Sequence, residues 1–476
     1  MISLLRIIVE FRNVKIKFGV KLDADVKMMF YRVMAGQKRL RLIQCFVAAG
    51  LTVFAASLPA RAVTITAAMV NNPDMITIKK LSWIFTKKTG IHIDWVLLPE
   101  NRLRQRVTMD VATKSGNFDV VMIGPFEAPL WARAGWLDKI GDPGPSYNLK
   151  DVFPSVRNQL SYKGALYALP FYAESSITYY RKDLFAKAGL KMPAHPSYDD
   201  IARFADKLTD RRRGIYGICL RGLPGFGENM AYISTLVNTF GGRWFNMDWR
   251  PQLTSPAWER AIAFYVKLMR RDGPPNASSN GFTENLALFA AGKCAIWIDS
   301  TVAAGSLFNP ADSTVADKTG VAPAPVEVTP NGSHWLWSWA FAIPVTSRHE
   351  AAARRFIAWV TSKAYIDLVA KKRGWVSIPA GTRFSTYTNP AYLRAAPFAP
   401  LVEQAIESAD TAHPTMQPVP YKGIQYVDIP IFNGIGTTVG QDMAGALAGR
   451  LSPKAALRRA QRATRLAVEA AGYLKP

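Results

Sequence analysis

The amino-acid sequence predicts an α/β protein of two lobes, each a mostly parallel sheet flanked by helices, with a hinge between the lobes. Three observations support this fold class. The chain has 476 residues, which is more than one ordinary core organises. From residue 63 onward, strand patterns alternate with single helices, as in βαβ units. An apolar run is interrupted at Pro170 and a β-rich segment resumes at Ser176, which is typical of a chain that crosses from one lobe to another.

The first α/β region is built from three predicted strands and two predicted helices. Apolar-rich or alternating segments predict strands at residues 63–69, 91–97 and 118–123. Apolar residues at helical spacing predict helices at 74–88 and 100–114. Strands that are joined by single helices lie parallel, so these segments predict a mostly parallel sheet.

The second α/β region follows the interrupted strand. Its predicted strands are 176–180, 215–220 and 294–298, with a long helix at 256–270 and a final helix at 452–472. The expected domain division assigns 63–172 and 300–346 to the first lobe, and 173–299 and 347–476 to the second.

Residues 1–62 are predicted to be an N-terminal extension and signal peptide. Basic residues precede an apolar run at 42–56, and the segment ending at Ala62 fits the small-residue rule for cleavage. The apolar run is shorter than the roughly 20 residues that a membrane-spanning helix needs. We therefore expect a mature periplasmic chain that begins at Val63. Met34 is the expected start, because the residues before it make the basic region far too long.

Composition and motifs exclude several classes of function. The formal net charge is +24, but the basic residues are scattered, which favours a solvated surface over a nucleic-acid partner. The sequence has no G-x-S-x-G, H-E-x-x-H or P-loop motif, and its five histidines lack the spacing of metal ligands. We predict no catalytic residue, no metal and no cofactor.

A lone acid at the predicted crossover points to a binding site. Glu174 is flanked by Phe171 and Tyr172. Aromatic faces can cover the C–H groups of a polyhydroxylated ligand while a carboxylate accepts its hydroxyl protons. The alternative is a core strand that carries a solvated glutamate.

Polar side chains also follow the predicted strands, at the ends where open α/β sheets bind ligands. Asn72 follows the first strand, Glu127 the third, and Arg221 the strand at 215–220, while Asp299 ends the strand that begins at Cys294. Asn72 has the alternative role of capping a helix. Arg221 and Asp299 have the alternative role of a structural ion pair.

Three tryptophans, Trp335, Trp337 and Trp339, alternate along a strand and so share one face. We expect Trp337 and Trp339 to lie in the core, whereas Trp335 suits core and cleft equally. Glu228 opens a helix, where it can interact with either the helix dipole or a ligand.

Two cysteines, Cys219 and Cys294, remain after the predicted cleavage. An oxidising compartment favours one disulfide between them, and both lie in strand-like segments that can be neighbours in a sheet. The alternative is two buried free thiols.

Long segments in a fixed order resemble the extracellular solute-binding proteins of bacterial ABC importers, the superfamily of the maltose-binding protein. The likeness spans Val63 to the C-terminus and is strongest to binding proteins for sugar alcohols such as sorbitol and mannitol. It is carried by VNNPDM (70–75), FDVVMIGPFEAPLWARAGWL (118–137), GICLRGLPGFGENMAY (217–232), GPPNASSNGFTENLALFAAGKCAIWIDSTVAA (273–304), NGSHWLWSWAFAIP (331–344) and PYKGIQYVDIPIFNGIGTTVGQ (420–441).

The resemblance implies a periplasmic binding protein fold whose cleft takes a polyol or a related monosaccharide. It implies ligand contacts for Asn72, Glu127, Tyr172, Glu174, Arg221, Asp299 and Trp335, with Arg383 as an addition. It also implies ABC permease subunits as partners and a monomeric protein. One rival is a small-oligosaccharide binder of the same class. The other is a secreted glycoside hydrolase that uses two of Glu127, Glu174 and Asp299.

Overall fold

The computed structural model describes residues 5–11, 14–20, 63–329 and 334–474. The chain divides into two units, Met1–Ala62 and Val63–Pro476. In the first unit, strands β1 (Leu5–Phe11) and β2 (Val14–Val20) pair in antiparallel fashion. The predicted signal peptide, its cleavage near Ala62 and the start at Met34 lie outside the described residues.

The second unit mixes strands and helices. Its strands are β3 (Thr64–Val70), β4 (His92–Leu98), β5 (Val120–Ile123), β6 (Ser161–Tyr162), β7 (Ala165–Leu166), β8 (Ala168–Glu174), β9 (Ser176–Arg181), β10 (Tyr216–Cys219), β11 (Cys294–Ser300), β12 (Thr319–Pro323) and β13 (Trp337–Ala342). Its helices are α1 (Pro73–Thr89), α2 (Glu100–Thr113), α3 (Glu127–Arg133), α4 (Pro154–Gln159), α5 (Lys182–Lys187), α6 (Tyr198–Leu208), α7 (Asn229–Thr239), α8 (Pro256–Asp272), α9 (Phe282–Ala290), α10 (Ala304–Leu307), α11 (Glu350–Val360), α12 (Lys363–Arg373), α13 (Phe384–Tyr387), α14 (Pro390–Ala395), α15 (Ala399–Glu407), α16 (Phe432–Leu447) and α17 (Pro453–Ala470). Among the described residues, no helix combines the length and apolar character that crossing a membrane requires.

The first sheet has five strands in the order β4-β3-β5-β13-β8. Helices α1 and α2 connect its parallel strands and pack on the sheet through the apolar faces that the helical spacing predicts. Helix α1 ends at Gly90, whose φ of 71° lies in the left-handed region that glycine adopts without strain. These features place the loop after β3 and the start of α2 at the same edge of the sheet.

The second sheet has four strands in the order β10-β11-β9-β12. Both sheets are mixed, so the prediction of mostly parallel sheets is wrong in this detail. Strands β3, β4 and β5 lie parallel, as do β10 and β11. Every antiparallel pairing in these two sheets involves β9 or β13. The chain enters β9 directly from β8 in the other lobe, without a βαβ crossover.

The division between the lobes differs from the expected boundaries in two places. Strand β12 pairs with β9 in the second sheet, whereas the sequence predicts residues 300–346 in the first lobe. Helix α11 packs against α1 and β8 of the first lobe, whereas the sequence predicts residues 347–476 in the second. Helices α16 and α17 pack against α8, so the chain crosses between the lobes again after α11. No local pattern in the sequence tells which sheet a late element joins.

A disulfide joins Cys219 and Cys294, at the end of β10 and the start of β11, as the sequence predicts. The two strands are parallel neighbours, and the Cα atoms are 5.9 Å apart. The bond closes a loop of 75 residues. The chain-entropy model gives a stabilisation of about 4 kcal/mol for a loop of this length.

Candidate functional site

A cavity of about 230 Å³ is lined by residues of both lobes. The first lobe contributes Asn72, which follows β3, and Glu100 and Arg104 from the first turns of α2. The second lobe contributes Arg221, which follows β10, and Glu228, which precedes α7. Loops at the carboxyl ends of parallel strands are where open α/β sheets bind ligands, and here two such edges face one cavity.

The predicted binding residues divide into two groups. Five of them line the cavity: Asn72, Tyr172, Glu174, Arg221 and Trp335. Glu127, Asp299 and Arg383 are not in its wall. Glu127 and Asp299 are each paired with an arginine that does line the cavity. Glu127 and Asp299 therefore lie behind the cavity wall, where each positions the arginine that it pairs with.

The Asn72 side chain performs two tasks. Its Oδ1 accepts a hydrogen bond of 3.0 Å from the backbone N–H of Met75 and so caps helix α1. Its Nδ2 donates a hydrogen bond of 3.0 Å to the hydroxyl of Tyr172 on β8. Burial raises the pKa of the Tyr172 hydroxyl well above its ordinary value, and the nearby Glu174 adds to the effect. Tyr172 therefore stays protonated and has its own O–H to donate into the cavity.

Glu174 lies at the crossover from β8 to β9 and is buried. The Ser300 hydroxyl donates a hydrogen bond to Glu174 Oε2. Burial raises the pKa of Glu174 to about 8, and this effect outweighs the opposing influences of the Ser300 hydrogen bond and the Arg221 charge. The sequence predicts a charged acceptor here. The structure instead gives a carboxyl group that is protonated near neutral pH and can both donate to and accept from a ligand hydroxyl.

Arg221 and Asp299 form a buried ion pair, the alternative that the sequence left open. Arg221 Nε and Nη2 donate hydrogen bonds of 2.9 and 2.6 Å to the two carboxylate oxygens of Asp299. Asp299 also accepts from the indole N–H of Trp297 and from the backbone N–H of Ser300. Burial acts to lower the pKa of the Arg221 guanidinium, but the charge of Asp299, its hydrogen bonds and smaller contributions from nearby acids together outweigh burial, and the pKa is raised. Asp299 thereby fixes a permanently charged Arg221 at the cavity wall.

Glu228 lies at the start of α7, but its side chain makes no capping hydrogen bond to that helix. It lines the cavity, and its Oε2 accepts a hydrogen bond from the backbone N–H of Phe282 at the start of α9. Burial raises the pKa of Glu228 to about 8, and the charge of Glu100 adds to this, while Arg221, 3.8 Å away, acts in the opposite direction. The cavity therefore carries a second carboxyl group whose pKa is raised by burial.

Arg104 is a cavity residue that the sequence analysis missed. Its guanidinium forms ion pairs with Glu100 and with Glu127, which also accepts from the backbone N–H of Gly124. The guanidinium carbon lies 4.8 to 4.9 Å from the ring centroids of Phe226, Trp337 and Trp339. The available signal was a Glu100–Arg104 pair at i,i+4 beside the apolar face of α2.

Three tryptophans form an aromatic wall. Trp335, Trp337 and Trp339 are all buried and all line the cavity. Trp337 and Trp339 also belong to the hydrophobic core, as the sequence predicts, so the core and the cavity share these two side chains. Trp337 lies opposite Glu174 and Trp339 opposite Tyr172 in the pairing of β13 with β8. The indole N–H groups of Trp335 and Trp337 have no hydrogen-bond partner among the described residues. Two buried donors are thus available to ligand oxygens.

Arg383 lies away from the cavity, in contrast to the prediction. Its guanidinium is fully buried and donates to the backbone carbonyls of Tyr147 and Thr361, at 3.0 and 3.2 Å. It also stacks 4.5 Å from the Tyr147 ring centroid. The side chain therefore holds together segments of the first lobe that are distant in sequence.

Within the described ranges, no group of three or more His, Cys, Asp or Glu side chains is placed to hold a metal ion. The cavity wall instead offers aromatic faces, hydroxyl and indole donors, two carboxyl groups of raised pKa and two arginines held by acids. Such a surface recognises neutral hydroxyl groups and aliphatic C–H faces.

Several known proteins are similar to this chain in sequence and in fold. Residues 67–366 match the family model described as bacterial extracellular solute-binding protein. A mannitol-binding protein of Pseudomonas aeruginosa is 52% identical over 413 residues, which cover 87% of this chain and 94% of that protein.

Two solved structures match in fold over most of the chain. An ABC transporter solute-binding protein from Agrobacterium vitis, with bound D-mannitol, is 53% identical with a TM-score of 0.86, covering 87% of this chain and 100% of that one. A solute-binding protein from Agrobacterium radiobacter, in complex with ribitol, is 27% identical with a TM-score of 0.75, covering 86% and 99%.

Proposed function

The chain belongs to the bacterial extracellular solute-binding proteins, and we infer from this that it is the polyol-binding component of an ABC importer. It binds a sugar alcohol of the mannitol type between its lobes and delivers it to permease subunits. Ligand that contacts both lobes favours the closed state, so binding shifts the population of conformations without making or breaking a covalent bond.

The chemical composition of the cavity wall is the main support for this proposal. The relatives that bind mannitol or ribitol share the fold. Here Tyr172, Trp335 and Trp337 present donors, and Glu174 and Glu228 present carboxyl groups of raised pKa. A neutral polyol offers a hydroxyl on every carbon, each of which both donates and accepts. A dense set of mixed donors and acceptors in a small space suits such a ligand.

Size favours a polyol or monosaccharide over the oligosaccharide alternative. At roughly 30 Å³ per water molecule, a cavity of about 230 Å³ holds about eight waters. This is below the range of about 300 to 1,000 Å³ that is usual for drug-sized ligands. A linear hexitol fits a cavity of this volume better than a disaccharide does.

We propose that the protein is a binder and not a glycoside hydrolase. Of the three carboxylates considered for hydrolysis, only Glu174 lines the cavity. Glu127 and Asp299 are held in ion pairs with Arg104 and Arg221. A hydrolase pairs a carboxyl group of raised pKa with an ionised carboxylate across the scissile bond, whereas burial raises the pKa of both Glu174 and Glu228 in this cavity. The proposal extends to a monomer in the periplasm, released from its signal peptide near Ala62, with no nucleic-acid partner.

Calorimetry and thermal melting test the proposal with D-mannitol, D-sorbitol, ribitol and maltose. A polyol at about 100 times its Kd should stabilise the protein by about 2.7 kcal/mol, because it binds only the native state. Maltose should give no shift, and aryl glycosides should stay intact during prolonged incubation. Absence of a shift with all three polyols, or release of free sugar from a glycoside, would contradict the proposal.

A further inference from the structure

The two lobes touch each other directly beside the cavity. Asn101, in the first turn of α2 in the first lobe, donates a hydrogen bond of 3.0 Å from Nδ2 to the carbonyl of Pro224 in the second lobe. Asn101, Pro224 and Gly225 are all absent from the cavity wall. This polar contact therefore joins the lobes without reaching the ligand space.

Glycine allows this close approach. A Cβ on Gly225 would overlap the Asn101 side-chain amide, lying 2.8 Å from Nδ2 and 3.0 Å from Cγ. A Cβ on Gly227 would overlap the Glu100 carboxylate. Neither glycine has a positive φ, so the backbone itself would accept alanine at both positions. What excludes a side chain at Gly225 and Gly227 is the surface of the opposite lobe.

Between the two glycines, Phe226 inserts its ring into the first lobe. Its centroid lies 4.9 Å from that of Phe126 and 6.4 Å from that of Trp337, and the Arg104 guanidinium stacks on it. Phe226 is 2% exposed. The loop at 224–227 is thus seated against the first lobe by an aromatic anchor, and the Asn101–Pro224 hydrogen bond fixes its outer edge.

We propose that Asn101, Pro224 and Gly225 form an interlobe latch that sets the affinity for ligand without touching it. The inference rests on the proposed function, in which binding is coupled to closure. The latch exists only when the lobes approach, so it stabilises every closed complex equally. Its residues are positioning residues: they change how long the cleft stays closed and leave the choice of polyol unchanged.

Two variants break the latch in different ways. Asn101→Asp keeps the size of the side chain but replaces its N–H donor with an oxygen that faces the Pro224 carbonyl. Gly225→Ala pushes the Asn101 amide away. The matched controls are Gln105→Glu, which changes an exposed amide on the same helix, and Gly434→Ala in α16, where a Cβ meets no atom within 4 Å.

Both latch variants should raise the Kd for D-mannitol by about five- to tenfold, the effect of losing one neutral hydrogen bond. The increase should appear in the dissociation rate, with the same factor for D-sorbitol and ribitol and an unchanged Tm without ligand. Both controls should bind as the wild type does. An unchanged Kd, an altered ratio between polyols, or a lowered ligand-free Tm in the latch variants would overturn the inference. Failure of the wild type to bind any polyol would instead refute the proposed function.

Discussion

Replacing Glu174 by glutamine should make polyol binding less sensitive to pH. In the closed cleft, burial raises the pKa of Glu174 from 4.5 to about 8. Opening the cleft returns the carboxyl group to water, where its pKa approaches the ordinary value. Glutamine is neutral at every pH and similar in shape to the protonated acid, and its Oε1 can still accept from Ser300. The variant therefore keeps the contacts of the closed state and loses the titration.

The sign and size of the effect follow from linkage. Below pH 4.5 the carboxyl group is protonated in both states, so closure is independent of pH. Between pH 4.5 and about 8, closure takes up a proton, and affinity should fall by up to about tenfold for each pH unit. Over that whole window the change is on the order of 5 kcal/mol. Above pH 8 the group is ionised in both states, and the dependence ends.

Calorimetry in buffers of different ionisation enthalpy measures the protons taken up on binding. The pKa of Glu228 is also raised to about 8, so the wild type should take up protons at both groups near pH 6.5. Glu174→Gln should take up about one proton fewer and show a shallower pH profile. The exposed Glu407→Gln serves as control and should match the wild type. Equal proton uptake by wild type and Glu174→Gln, or an affinity that is constant between pH 5 and 8, would refute this reasoning.

Two further substitutions and a thiol titration separate structural from binding roles. Arg221→Ala leaves the buried Asp299 unpaired, so it should lower the free energy of unfolding without ligand by about 3–5 kcal/mol and abolish binding. A variant that melts at the wild-type temperature would contradict the buried ion pair. Trp335→Phe keeps a ring but removes an indole donor, so mannitol binding should weaken by about 0.5–1.5 kcal/mol in free energy. Equal affinity would show that the donor is unused. Thiol titration of unfolded, unreduced protein should find no free thiol at Cys219 or Cys294, and reduction should lower the free energy of unfolding by about 4 kcal/mol. Two free thiols would exclude the disulfide.

Residues at strand ends were predictable from the sequence because their position is set locally. Asn72 and Arg221 follow strands that the apolar pattern reveals, and Glu174 ends β8 at the predicted crossover, although β8 runs through Pro170 without the predicted interruption. In each of these three cases the relevant information lies within a few residues. The disulfide between Cys219 and Cys294 was predicted on different grounds, because these are the two cysteines left after the predicted cleavage.

Residues whose environment depends on segments outside their own helix or strand were not predictable in this way. Arg104 has the sequence pattern of a helix-surface residue, because Glu127, Trp337 and Phe226, which surround it, all lie outside its helix. Alternation shows that Trp337 and Trp339 share a face, but both a core and a cleft can cover that face. Arg383 has no local signal for its partners, which are carbonyls of Tyr147 and Thr361.

The position of β13 has a consequence for the order in which the chain can fold. This strand lies between β5 and β8. Its residue Ala340 pairs with Ile123, which lies far earlier in the chain. Until residues 337–342 are synthesised, β5 and β8 each present an open edge that invites pairing with another chain. Such long-range pairing is slow to form. A fragment that ends before Trp337 should therefore aggregate, and the first lobe should not fold as an excised domain.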